Sequence, residues 1–274
     1  MPELPEVETI RRILTTGTEE APSIIGQCVR TTELLWERTL AYPSPEEFAR
    51  ELPGQQVLGL GRRGKFLIIK FSQDSLVFHL RMSGDLGMSL VSEPARHDRL
   101  RVIFESGWVL SFNDTRKFGR AWLVKDPEEL LEGLGPEPTS VELDGGGFGR
   151  RLGQKNRQIK PLLMDQHFLS GLGNIYTDEA LFRAGIHPAR LSWSLSEGEA
   201  ERLLEAIRET LEDGIRHNGS SIDWVYRGGN FQNYFRVYQQ TGNACPVCGQ
   251  TIQKIVLGQR GTHFCEHCQP FKKG

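Results

Sequence analysis

Four of the five cysteines crowd one end of the sequence as Cys245-Pro-Val-Cys248 and Cys265-Glu-His-Cys268, two C-x2-C pairs separated by 16 residues. Thiolates at that spacing close a tetrahedral structural site for one Zn2+ ion. Disulfides are the other chemistry open to them, and they are unusual in a reducing cytosol. The intervening TIQKIVLGQRGTHF has the rhythm of a hairpin turning around Gly258, which puts Arg260 near the tip of a two-stranded ribbon. A ribbon this short can hardly bury a core, so the metal must hold it. His263 and His267 lie nearby, but four cysteines already satisfy the ion. Cys28, far from the others, reads as an ordinary buried thiol.

Two stretches could face phosphate. Residues 228–274 hold Arg236, Lys254, Arg260, Lys272 and Lys273 against one acid, Glu266, and Arg150, Arg151, Lys155, Arg157 and Lys160 sit in a run without acids. Folded onto one side, either stretch would attract a polyanion. Spread around an element, either is a solvated face. The whole chain, with 33 Lys and Arg against 35 Asp and Glu, does not advertise such a partner.

The elements that must position these groups follow from periodicity. A length of 274 residues predicts two domains rather than one. Leu4, Val7, Ile10 and Ile13 or Leu14 recur at helical spacing over residues 3–14, with Pro5 in the first turn, where a missing N–H costs little. From Gln56 to Val124 the pattern alternates, through LGLGRRGKFLIIKF, SLVFHLRM and a hairpin, RVIFESGWVLSF, turning at Ser106-Gly107. That predicts an antiparallel sandwich or barrel. Residues 134–148, rich in Pro and Gly, read as a linker. Beyond it helices are expected over 162–168, 175–184 and 197–217, the last opened by a Ser196/Glu199 capping box and burying Leu203, Leu204, Ile207 and Leu211. No apolar run approaches the roughly 20 residues that span a bilayer. MPELPEVETI carries three glutamates before its first arginine, which excludes a secretory signal and predicts a cytoplasmic chain.

MPELPEVETI, GLGNIY and the four-cysteine finger, in that order and across essentially the whole chain, closely resemble the bacterial formamidopyrimidine-DNA glycosylase family. The resemblance implies a bifunctional glycosylase and AP lyase of base excision repair, taking 8-oxoguanine and formamidopyrimidines from duplex DNA. It also gives the chain start a chemical sense. With Met1 removed, Pro2 becomes a secondary amine, and α-amino groups titrate at about 8, so part of the population is unprotonated at neutral pH. Attack on the sugar C1′ would expel the base and leave an iminium Schiff base, an electron sink for β,δ-elimination of the flanking phosphates. By the same resemblance Glu3 is the adjacent acid-base group and Glu6 a supporting carboxylate. Lys65, in GRRGKFLI, contacts phosphate at the damaged nucleotide, and Lys160, in QIKPLLMD, and Arg260 grip phosphates beside it. Taken alone, Glu3, Glu6 and Glu8 are acids favoured at a helix N-terminus, and Lys65 is an exposed strand lysine.

A base inside a duplex must be flipped out, and something must fill the gap. The resemblance assigns this to Met82 in HLRMSG and to Arg116 and Phe118 in NDTRKFG, where an isolated reading of Met82 and Phe118 would be core packing. Arg116 could pair with the orphaned cytosine. GLGNIY resembles the turn of a helix-two-turn-helix, with Gly171 and Gly173 admitting a phosphate and Asn174 opening the next helix. Glu179 corresponds to a family glutamate near the active site, and a structural role in fixing Asn174 or a backbone amide is equally open. One segment departs from the family: GSSIDWVYRGG has Asp223 where many members carry a lysine or arginine, leaving Ser220, Ser221 and Tyr226 as candidate base contacts.

The expected fold is α+β and multidomain. It comprises a helix plus antiparallel β-sandwich over 1–133, the linker, a helix-two-turn-helix domain over 149–240 and a zinc finger over 241–274, with DNA crossing the cleft between the domains. The expected partner is double-stranded DNA containing oxidised purine, bound by a monomer with no membrane association. Two rivals remain open. An endonuclease VIII-like glycosylase for oxidised pyrimidines shares the Pro2 and Glu3 chemistry, though ELPEVET at the start argues against it. A noncatalytic damaged-DNA-binding protein would keep the clamp without turnover.

Overall fold

Leu4, Val7, Ile10 and Leu14, the apolar residues at helical spacing, are all buried on one face of the first helix, α1 (Leu4–Thr16). The computed structural model describes residues 1–90, 93–221 and 228–272. The chain divides into two units, Met1–Glu132 with Asn218–Gly229, and Gly133–His217 with Asn230–Gly274.

In the first unit the strands are β1 (Val29–Leu34), β2 (Leu40–Tyr42), β3 (Val57–Arg63), β4 (Phe66–Phe71), β5 (Ser75–His79), β6 (Gly84–Ser89), β7 (Asp98–Phe104), β8 (Val109–Asp114) and β9 (Arg120–Val124). They form a four-stranded sheet in the order β1-β7-β8-β6 and a five-stranded sheet in the order β2-β9-β5-β4-β3. Leu67, Ile69 and Phe71 of β4 point with Phe78 of β5 into the same core as Val102, Leu110 and Phe112, and α1 adds Val7, Ile10 and Leu14 to it. Phe78 and Phe112, one from each sheet, stand 5.3 Å apart at their ring centroids. The expected β7–β8 hairpin turns through Gly107 at φ +87°. One pairing departs from the antiparallel expectation: β2 runs parallel to β9. Three residues give too little alternation to mark such a strand in sequence. Short helices α2 (Pro45–Glu51) and α3 (Pro127–Leu131) complete the unit, and Cys28 is half-buried rather than buried.

The second unit holds α4 (Gly145–Gly153), α5 (Ile159–Leu163), α6 (Asn174–Ala184) and α7 (Glu197–Arg216), followed by a hairpin of β10 (Gln253–Leu257) and β11 (Arg260–Phe264). Two expectations are corrected. The glycines placed in the linker open α4, because the Asp144 carboxylate accepts the Gly147 N–H at 2.6 Å and Phe148 is fully buried against Phe168. The helix expected over 162–168 lies instead at 159–163. Beyond it the Asp165 side chain takes the His167 N–H, and Gln166 bonds Met164, Gly171 and Leu172, so side chains replace the helical ladder and make a turn. The capping box of Ser196 and Glu199 is present at α7. Gly214 lets α7 meet α6, for a Cβ there would lie 2.4 Å from the Tyr176 ring. Among the described residues no helix is long and apolar enough to cross a membrane.

One ionic cluster fixes α1 to the sandwich. Glu8 accepts from Arg11 and Arg12 of its own helix at 2.8 Å each and from Arg62 of β3 at 3.1 Å. Burial raises its pKa, but the three guanidinium groups outweigh that and hold it at about 2. A carboxylate depressed in the folded state stabilises above its unfolded value and loses that stabilisation as pH falls toward the folded one. Glu8→Gln should therefore lower unfolding stability at pH 7 by roughly 2 kcal/mol. In urea titrations across pH, the gap to wild type should shrink progressively below pH about 4.5. A gap independent of pH refutes the assignment.

Candidate functional site

Pro2 and Glu3 precede α1, and both are buried. Glu6, one turn in, uses Oε2 to accept the Glu3 N–H at 2.7 Å and Oε1 to accept the Ser220 N–H at 2.7 Å and its hydroxyl at 3.1 Å. One carboxylate thus ties the chain start to a segment 214 residues away in sequence. Gly219 takes φ +79°, and a Cβ there would lie 2.7 Å from that carboxylate, so the approach requires glycine. α1 packs on β3 and β4. The turn between these strands carries Lys65, which is 4% exposed, so the reading as an exposed strand lysine is corrected. Ser221 accepts the Gly229 N–H at 2.9 Å. Asp223 and Tyr226 lie outside the described residues.

His79 is a group the sequence reading missed. It ends β5 opposite Phe66 and accepts the Arg81 N–H on Nδ1 at 3.0 Å, which leaves Nε2 to carry the proton. Burial, then the charges of Arg81 and Lys65, lower its pKa to about 3, so the ring is neutral. The bond fixes Arg81 at φ +55°, immediately before half-buried Met82. Arg116 and Phe118 project from the β8–β9 loop, with Phe118 51% exposed and the Arg116 guanidinium 5.1 Å from its ring centroid. Phe118 is therefore not packed in the core.

In the second unit Gly173 precedes α6 in an extended conformation with no side chain capping the helix. Asn174 donates its amide to the Gly261 carbonyl at 3.1 Å, linking this helix start to the finger hairpin. Lys160 was expected at the surface, gripping phosphate. It is instead fully buried, 2.7 Å from Asp178 Oδ1 and donating to Gly261 O at 2.8 Å. Its ammonium holds the hairpin turn. Asp178 uses its other oxygen for the His263 N–H at 2.9 Å and for His263 Nδ1 at 3.0 Å. Arg260 stands exposed at the first position of β11, after a tight turn in which Gly258 and Gln259 have φ +53° and +61°. Of the two roles open to Glu179, the structure gives the backbone one: its carboxylate accepts the N–H groups of Arg236, Val237 and Tyr238 at 3.0, 3.0 and 2.8 Å. Burial raises its pKa against those three donors.

The Sγ atoms of Cys245, Cys248, Cys265 and Cys268 all lie within 4.8 Å of one another, with Cys245 to Cys268 at 3.7 Å and Cys248 to Cys265 at 3.5 Å. Four thiolates about 2.3 Å from a zinc ion form a tetrahedron with edges of about 3.8 Å. The residues fit that ion. Burial, and then the neighbouring sulfurs, raise Cys268, so the set resists carrying four negative charges without a cation among them. His263 is engaged by Asp178 and is not part of the set. Lys273, counted in the basic tail, lies outside the described residues.

Comparison with known proteins covers the chain end to end. The formamidopyrimidine-DNA glycosylase N-terminal domain matches residues 1–121, the formamidopyrimidine-DNA glycosylase H2TH domain matches residues 134–225, and a zinc finger found in FPG and IleRS matches residues 242–270. With that finger and the four-sulfur geometry, the protein carries one structural zinc ion. Formamidopyrimidine-DNA glycosylase of Bacillus subtilis (strain 168) is 41% identical over 282 residues, spanning 99% of this chain and 100% of the relative. A structure of MutM in complex with DNA containing carbocyclic 8-oxo-G matches with a TM-score of 0.89 at 39% identity. The wild-type Lactococcus lactis Fpg (MutM) in complex with DNA containing N7-benzyl-Fapy-dG matches with a TM-score of 0.90 at 38% identity. Both matches cover 98% of this chain and 100% of the other. This chain belongs to the formamidopyrimidine-DNA glycosylase family.

Proposed function

We propose that the protein is a bifunctional DNA glycosylase and AP lyase that excises oxidised purines from duplex DNA, with Pro2 as the nucleophile after loss of Met1. The observation that carries the reading is that Pro2, whose nitrogen becomes a secondary amine once Met1 is removed, and the Glu3 carboxyl group are both withdrawn from water at the chain start while Glu6 holds the Glu3 backbone. Burial of an amine favours its neutral, nucleophilic form. Pro2 N would bond to C1′ as the bond from C1′ to the base nitrogen breaks, the base leaving with the proton given up by the amine, and the iminium ion forms when the C1′–O4′ bond of the ring then breaks. Glu3, in its acid form, donates to the ring oxygen as the sugar opens and then shuttles the proton taken from C2′. Loss of that proton expels the 3′ phosphate, and a second elimination expels the 5′ phosphate.

Lys65 and Arg260 serve as the cations for the phosphates at and beside the lesion, and the start of α6 at Gly173 and Asn174, the positive end of the helix dipole, faces another phosphate. Met82, Arg116 and Phe118 enter the space vacated by the flipped nucleotide. The choice of oxidised purine is supported by the 8-oxo-G and Fapy-dG derivatives bound by the two related proteins. A cytoplasmic, nucleoid-associated location suits such a substrate.

Borohydride should trap the processed protein on an 8-oxoguanine:cytosine duplex, with mass spectrometry locating the adduct on Pro2. Pro2→Gly should lose at least a hundredfold in trapped yield, and a thymine glycol duplex should trap far less. Trapping elsewhere in the chain, or none at all, overturns the nucleophile assignment. Metal analysis should return one zinc per chain, and chelation should weaken duplex binding at least tenfold in fluorescence anisotropy, with recovery when zinc is restored. Undiminished binding by the zinc-free protein would remove the finger from the DNA interface.

A further inference from the structure

The three side chains proposed to probe the duplex sit on two loops far apart in sequence, Met82 between β5 and β6 and Arg116 with Phe118 between β8 and β9. Both loops end on one group. Asp114, the last residue of β8, is 1% exposed. Its Oδ1 accepts the Ser83 hydroxyl and, at 3.2 Å, the Arg116 N–H, while Oδ2 accepts the Gly119 N–H at 2.7 Å. The Ser83 oxygen accepts the same Arg116 N–H at 3.0 Å and so closes a ring between the loops. The pattern is specific: Ser83 directly follows Met82, Arg116 is itself a probe, and Gly119 directly follows Phe118.

We infer that Asp114 is the positioning residue that sets Met82, Arg116 and Phe118 in one fixed relation, so that the three enter the stack as a single rigid wedge. This rests on the preceding reading of those side chains as the duplex probes. The surrounding packing has the same effect. A Cβ at Gly119 would lie 2.3 Å from the Phe112 ring and one at Gly84 2.8 Å from the same ring, so both loops press onto the sandwich at Phe112. Lys117, between the two exposed probes, takes φ +60° with its ammonium 3.8 Å from the Trp36 ring centroid. A wedge offsets unstacking only if inserting it does not also require ordering it. A buried carboxyl group held by three donors supplies that order in advance. Arg116 gains most, because its backbone N–H is held twice while its guanidinium stays free to meet the base opposite the lesion.

The test is Asp114→Asn, which keeps the shape but replaces one acceptor oxygen with an NH2 group that must face a donor. Excision of 8-oxoguanine from a duplex opposite cytosine should fall at least tenfold in kcat/KM, and the preference for cytosine over adenine opposite the lesion should drop severalfold. Borohydride trapping on a single-stranded abasic oligonucleotide, where no stack has to be filled, should stay within twofold of wild type. Ser83→Ala, which cuts only the Met82 link, should lie between the two proteins and covers the case in which Asp114→Asn does not fold. Equal losses on duplex and single strand, or an unchanged opposite-base preference in both variants, would make Asp114 a residue of the fold alone. Met82→Ala, Arg116→Ala and Phe118→Ala separate the failures. If these leave duplex excision unchanged, the probe reading is wrong; if they impair it while Asp114→Asn and Ser83→Ala do not, only the present inference falls.

Discussion

The structure depends on carboxylates taken out of water and satisfied by backbone N–H groups, some from their own loop and others from far along the chain. Removing such an ion from water costs several kcal/mol, and each charge-assisted hydrogen bond returns about 1.5–3 kcal/mol, so the arrangement holds only where several donors converge. They do converge. Glu6 takes the N–H groups of Glu3 and Ser220, Asp114 those of Arg116 and Gly119, Asp178 that of His263, and Glu179 those of Arg236, Val237 and Tyr238. For Glu6 and Asp114 the anchored backbone carries, or adjoins, a residue proposed to meet DNA or the reacting sugar. Loops that must expose functional groups have few apolar contacts to hold them, and a buried acid is the substitute.

The finger shows the same logic with a metal added. Its core consists of Phe182 from α6 together with Val237, Ile252, Cys245 and Cys265. So little apolar area cannot offset the chain entropy of ordering a hairpin, and zinc supplies the remainder. Zinc does not aim the hairpin, however. That falls to Lys160 and Asn174 on the Gly261 carbonyl and to Asp178 on His263, which is why a lysine that looked like a phosphate ligand is wholly buried. An ammonium paired at 2.7 Å with a carboxylate in that position orients Arg260 from behind.

What could be read from the sequence was whatever is encoded locally. The apolar spacing of α1, the Ser196 and Glu199 box of α7, the hairpin through Gly107 and the cysteine spacing each state their structure within a few residues. Groups whose meaning comes from a partner elsewhere were misread or passed over. Lys160 is defined by residues 178 and 261, and Asp114 by residue 83 as much as by its own loop. His79 stood beside Met82 in a motif already singled out, but nothing local says that its ring would be buried next to Lys65 and Arg81 and kept neutral. The turn after α5 was lost for a related reason: Asp165 and Gln166 divert backbone bonds to side chains, a competition that apolar periodicity does not register.

The misleading charge balance has the same origin. A net charge of −2 argues against a polyanionic partner only if acids and bases reach the solvent equally. Among the described residues nine acids are buried, Glu3, Glu6, Glu8, Asp74, Asp98, Asp114, Asp178, Glu179 and Glu199, against five bases, Lys65, Arg99, Arg101, Lys160 and Arg190. Burying these acids leaves the side chains that reach solvent more basic than the composition, although Glu8, Asp74 and Glu199 also pair with the exposed Arg12, Lys125 and Lys272. Phosphate binding responds to charges that a counterion atmosphere can reach, so the net charge of the whole chain is a poor guide to a polyanionic partner.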